Sequence, residues 1–141
     1  MSDCLFCKIV KGDIPSYPIW QDKNFIAILD IFPATIGQTL VISKKHYGSD
    51  FSKLPDSVLK DLSIASKKVA RILTSSFTDV SRTCLVLEGF DIDHIHAKLY
   101  PMHGSTPLST YLSPKPSQAD SNTLESLQQL LKSSSPCQGR G

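Results

Sequence analysis

The sequence predicts an α+β fold: a mainly antiparallel sheet of about five strands with one main helix packed on it. Three observations carry that expectation. Short apolar segments recur before residue 45, separated by turn residues. A single amphipathic helix follows over residues 55–73. Two more strand-like segments come after it, so the order reads β-β-β-α-β-β.

Residues Cys4 to Ser16 mix apolar and polar positions and end at Ile14-Pro15. Ile19-Trp20 and Phe25–Leu29 read as strands split by the turn Asp22-Lys23-Asn24, and Pro33 breaks the second. Gly37 marks the loop before a third strand, Thr39–Ser43. In the helix, Pro55 suits the first helical position and Asp56 the positive end of the dipole. Val58, Leu62, Ala65, Val69 and Ile72 form its apolar stripe, with Lys60, Lys67 and Lys68 opposite. Thr83–Leu87 and residues 94–100 complete the sheet.

The composition changes after Gly104. Residues 1–104 read as the domain and 105–141 as a C-terminal extension. That extension holds a short amphipathic helix around Leu124, Leu127, Leu130 and Leu131, and its last ten residues are expected to be disordered. With 141 residues, 40% hydrophobic and 20% charged, the chain is one globular domain with a tail. Net charge is +2 and Lys and Arg are dispersed, which leaves no electrostatic footprint for nucleic acid. No apolar run approaches the roughly 18 residues needed to cross a membrane. The start Met1-Ser2-Asp3-Cys4 lacks the features of a signal peptide, so a cytoplasmic protein with free thiols is expected.

His94-Ile95-His96 is the most informative short stretch. Alternation along a strand sends both imidazoles to one face and Ile95 to the other. Such a pair suits a metal, a proton relay, or a nucleophile with an assistant; the alternative is two surface histidines. Cys4-x-x-Cys7 has metal-ligand spacing, and equally fits two unrelated cysteines.

The segment Glu88–Pro101, with His94-Ile95-His96-Ala97-Lys98-Leu99-Tyr100 at its centre, resembles the signature of the histidine triad (HIT) superfamily, His-φ-His-φ-His-φ-φ. Cys4–Pro15, Phe25–Ala34 and Gly37–His46 are similar to further blocks of bacterial-type members, in the family's order. The resemblance covers residues 4–104 and points to the zinc-binding Hint branch.

What it implies is a nucleotidyl hydrolase or transferase. His96, the middle histidine, would attack the α-phosphorus of a purine nucleoside phosphate derivative, and a nucleotidyl-imidazole intermediate would release AMP. The substrates implied are phosphoramidates and acyl adenylates. Asp30 would accept hydrogen bonds from the ribose hydroxyls. Phe6, Ile9, Ile14, Ile28 and Ile31 would line the base pocket; each, taken alone, reads as plain core. Cys4, Cys7, His46 and His94 would hold a structural zinc ion. A homodimer is expected, with the main helix and an adjoining strand at its interface.

The pattern departs from the family at the third histidine, where Lys98 stands: a cation able to neutralise phosphate charge, but no imidazole. The loop before the motif is short, with Phe90 and Asp91 where polar donors stand in many relatives. Asp93 should face away from His94 and His96. His103 either folds over the site or stands exposed in a loop. Cys84 reads as core, and Cys137 lies in the tail. Three other readings compete: a dinucleoside polyphosphate hydrolase, a non-catalytic nucleotide-binding module, and a zinc-stabilised binding protein without a nucleotide.

Overall fold

The computed structural model describes residues 3–112 and 116–134. Five strands form one sheet in the order β1-β2-β3-β5-β4, each pair antiparallel. They are β1 (Pro18–Gln21), β2 (Phe25–Leu29), β3 (Thr39–Ser43), β4 (Val80–Val86) and β5 (His96–His103). The helices are α1 (Leu5–Lys11), α2 (Asp56–Ser76), α3 (Leu108–Tyr111) and α4 (Ser121–Ser134). The expected α+β sheet with one long helix is the architecture observed.

Strands β2 and β3 are buried at every position, because the sheet is covered on both faces. On one face, Ala27, Leu29, Val41, Ala97 and Leu99 meet Leu62, Ala65, Val69 and Leu73 of α2 and Leu124 and Leu131 of α4. On the other, Ile26, Ile28, Leu40 and Ile42 meet Phe6, with Cys4, Ile9 and Val10 packed against them. Alternation assigns His96 and Lys98 to this second face, since His96 lies opposite Ile42 and Lys98 opposite Leu40.

Several boundaries differ from the sequence reading, each for a local reason. The segment 4–16 contains α1, whose Phe6, Ile9 and Val10 recur at helical spacing. Cys4 caps it, its Sγ accepting from the backbone N–H of Cys7 at 3.4 Å. Pro55 sits at the N-cap of α2 rather than inside its first turn, and the helix runs three residues past Leu73. The strand expected at 94–100 starts at His96, because His94 N–H turns back to the Ile92 carbonyl. It continues through Pro101: the β3 ladder ends at Leu99, so the missing proline N–H breaks no pairing there. β4 begins at Val80, three residues before the expected start.

The disordered end expected for residues 132–141 falls outside the described residues from 135 onward, as does Cys137; 132–134 belong to α4. Among the described residues, no helix is long and apolar enough to cross a membrane.

Candidate functional site

The turn before β5 and the start of α1 meet at a cluster of four potential ligands. Cys4, Cys7, His46 and His94 place their ligand atoms within 4.8 Å of one another. His94 Nδ1 lies 3.3 Å from Cys4 Sγ, 3.5 Å from Cys7 Sγ and 3.1 Å from His46 Nδ1. Cys7 Sγ lies 3.4 Å from His46 Nδ1. In a regular zinc tetrahedron the edges are roughly 3.3 Å between two nitrogens and roughly 3.6 Å between nitrogen and sulfur, from the usual bond lengths. The four side chains therefore fit a closed Cys2His2 site, and they are able to hold a metal ion.

The second ring nitrogen of His94 supports that role. Nε2–H donates to the Ser43 carbonyl at 2.7 Å, which leaves the Nδ1 lone pair directed at the cluster. Burial lowers the pKa of His94, favouring the neutral ring a metal requires. Burial and the adjacent Cys4 push the Cys7 thiol above its ordinary value, a cost that a bound cation reverses by stabilising the thiolate.

His96 is two residues further on, at the start of β5 and 4% exposed. Its Nδ1–H donates to the carbonyl of His94 at 2.7 Å. That bond fixes the tautomer, so Nε2 carries the lone pair and has no hydrogen-bond partner among the described residues. Phe6 meets the ring edge-on with centroids 4.8 Å apart and meets His94 at 5.8 Å. Burial lowers the pKa of His96 and the Lys98 charge lowers it further, against the His94 carbonyl and the charges of Asp30 and Asp91. The arrangement is a neutral imidazole with a free lone pair, held by one backbone bond and one aromatic wall.

Lys98 follows on the same face, its ammonium 3.6 Å from Glu88 Oε1. Tyr100 is next in the row; burial raises its pKa, as do the charges of Asp30 and Glu88. Asp30 stands at the end of β2, where Phe32 N–H donates to Oδ1 at 2.9 Å and Gln38 Nε2 to Oδ2 at 2.7 Å. Its carboxylate is thus oriented while retaining further lone pairs. Asp93 lies in the turn before β5 rather than in the strand, and accepts from Ser49 N–H at 2.9 Å.

Of the residues expected around a base, Phe6 and Ile28 are buried together and Ile9 packs against them. Ile14 is half-buried on the turn after α1 and Ile31 is exposed, neither within that group. His103 takes neither expected place. It ends β5, with Nδ1 2.9 Å from Asp79 Oδ1, Nε2 2.8 Å from the Ile36 carbonyl oxygen, and Phe77 edge-on. It borders a cavity of about 330 Å³ walled by Leu29, Ile36, Leu124 and Leu127, on the α4 side of the sheet. Asp30, Gln38 and Tyr111 also border it, with Gln38 Nε2 donating to Asp30 Oδ2 and the Tyr111 hydroxyl to the His103 carbonyl.

Two residues of the site escaped sequence reading. Ser43 acts through its backbone carbonyl, which no side-chain pattern reveals. Glu88 acts through strand register, which places Val86 opposite Lys98 and so carries Glu88 to it.

The fold and site define a small α+β protein with a Cys2His2 cluster joined through two residues to a tautomer-fixed histidine. A family model for the HIT domain matches residues 11–103, and the chain belongs to the HIT family. Adenosine 5'-monophosphoramidase HNT1 of Saccharomyces cerevisiae is 34% identical over 98 residues, covering 70% of this chain and 61% of that protein. A hypothetical histidine triad nucleotide-binding protein of Sulfolobus tokodaii superposes with TM-score 0.79 at 27% identity, covering 93% and 91% of the two chains. A zinc-bound histidine triad family protein of Mycobacterium smegmatis superposes with TM-score 0.76 at 28% identity, covering 94% and 93%.

Proposed function

We propose that this chain is a nucleotidyl hydrolase or transferase that cleaves purine nucleoside phosphate derivatives at the α-phosphorus, with His96 as nucleophile. The observation that carries the reading is the bond from His96 Nδ1–H to the His94 carbonyl, which leaves Nε2 unprotonated and unpaired. Nε2 forms a bond to phosphorus as the bond to the leaving group breaks, and the leaving group takes a proton from water. The ring becomes cationic in that step, and the His94 carbonyl bound at Nδ1–H stabilises it. Lys98 neutralises charge on the phosphoryl oxygens. Water then attacks phosphorus, the P–N bond breaks, and AMP leaves with His96 restored.

The yeast relative, a monophosphoramidase, supports nucleoside phosphoramidates as a substrate class, with acyl adenylates chemically close. Asp30 binds the ribose hydroxyls in this reading. Phe6, Ile9 and Ile28, with Ile14 and Ile31 at the rim, hold the base. Cys4, Cys7, His46 and His94 hold zinc, as the zinc-bound relative supports; the ion pins α1 and orients the turn that presents His96. Thiols of this kind persist in a reducing, cytoplasmic compartment.

Two protomers pair through α2 and β4 in this reading. β4 is an edge strand, and its Leu85 and the α2 residue Ile64 are each 45% exposed. A monomeric mass at micromolar concentration in sedimentation contradicts that pairing.

AMP release from adenosine 5'-phosphoramidate by the native protein and by His96→Ala tests the main reading. Turnover confined to the native protein, with AMP binding by both, supports it. If AMP binds the native protein without any turnover, the chain is a nucleotide-binding module.

A further inference from the structure

Lys98 differs from an imidazole in more than charge. Its ammonium rides a flexible four-carbon stem and adopts no single place without a partner. Here the partner is Glu88, whose Oε1 lies 3.6 Å from Lys98 Nζ. Register explains the contact: Val86, at the end of β4, lies opposite Lys98, and Glu88 is two residues beyond. The loop that follows is itself tied down. Ser49 Oγ donates to the Gly89 carbonyl at 2.7 Å, and Asp93 Oδ1 accepts from Ser49 N–H. Gly89 has a φ of +72°, and a Cβ there would run into Ser49, so only glycine suits this approach.

The two partners differ in exposure. The Lys98 side chain is 21% exposed and that of Glu88 50%. A half-exposed ion pair is weak, and a phosphate dianion competes with it readily. Glu88 therefore fixes where the ammonium waits without trapping it there.

Resting on the reading of His96 as nucleophile, we infer that Glu88 is a positioning residue. It holds the Lys98 ammonium beside His96, so that a flexible lysine takes the place of the third histidine. As substrate binds, Lys98 passes from Glu88 to the phosphoryl oxygens.

The test is steady-state turnover of adenosine 5'-phosphoramidate by the zinc-loaded full chain, comparing Glu88→Gln in the native and Lys98→His backgrounds. In the native background kcat should fall about tenfold with KM within about twofold, the mark of lost positioning rather than lost binding. In the Lys98→His background Glu88→Gln should change nothing, because a ring needs no holder. Glu88→Gln combined with Lys98→Met should likewise turn over no slower than Lys98→Met alone. Equal losses in every background, or no loss in the native one, overturn the assignment. Absence of turnover by the native protein removes the enzymatic reading and this inference with it, a result distinct from either.

Discussion

Phe6 links the fold to the site, and its replacement by alanine has a calculable effect. The side chain is 3% exposed, seated among Ile26, Ile28, Leu40 and Ile42, and touches both His94 and His96. A buried phenylalanine removes about 150–200 Å² from water, so at about 25 cal/mol per Å² its burial contributes up to roughly 4–5 kcal/mol. The two edge-on ring contacts add about 0.5–1.5 kcal/mol each. Together these set an upper limit of roughly 5–8 kcal/mol against an extended chain. A compact unfolded state, the methyl group that alanine keeps and relaxation of the short helix α1 into the space reduce it. The expected loss is therefore about 3–4 kcal/mol, within the usual range for Phe→Ala in a core. Urea unfolding in excess zinc, followed by circular dichroism, should show the midpoint falling by roughly 2 M for a slope near 2 kcal/mol/M. Leu5→Ala, on the exposed side of the same helix, should cost less than about 1 kcal/mol. A loss below about 1 kcal/mol for Phe6→Ala refutes the docking of α1 on the sheet. AMP affinity should fall in the same variant, since the wall against His96 is gone.

Further outcomes follow from the same geometry. Cys7→Ser leaves three good ligands and should lower zinc retention after dialysis from one ion per chain to a fraction, read by atomic emission; full retention contradicts the Cys2His2 set. Leu131, with no exposed surface in the α2–sheet core, should cost about 2–4 kcal/mol on change to alanine, whereas exposed Glu125→Ala should stay within about 0.5 kcal/mol. Lys98→Met should lower turnover of adenosine 5'-phosphoramidate by about 100-fold, the size expected when one charge-stabilising donor is lost. An unchanged rate removes Lys98 from the chemistry.

The sheet and its main helix were legible because burial leaves period and composition in the sequence. Phe25–Leu29 and Thr39–Ser43 are apolar on both faces because helices cover both. The α2 stripe reappears as the buried row Leu62, Ala65, Val69 and Ile72. Helix α1 was missed because seven residues show barely two turns of period, and its cap is a cysteine rather than a usual N-cap residue. The extent of β5 was misjudged because proline ordinarily ends a central strand, and only the shorter β3 ladder shows why Pro101 is tolerated.

At the site, strand alternation was expected to pair His94 with His96, but His94 lies in the turn before β5 and the two rings meet at Phe6 instead; the four potential ligands came from resemblance. The tautomer of His96, the carbonyl of Ser43 and the partner of Lys98 were not legible. Each depends on a backbone atom or a strand register, which a one-dimensional pattern does not carry. His103 was misplaced for the same reason: its partners Asp79 and Ile36 are 24 and 67 residues away.

Covalent nucleotidylation of His96, proposed above, is read by intact-protein mass spectrometry after rapid mixing with adenosine 5'-phosphoramidate. A transient gain of one adenylyl group is expected on the native protein and none on His96→Ala. An adduct that persists in His96→Ala, or turnover by the native protein with no adduct at any mixing time, contradicts it.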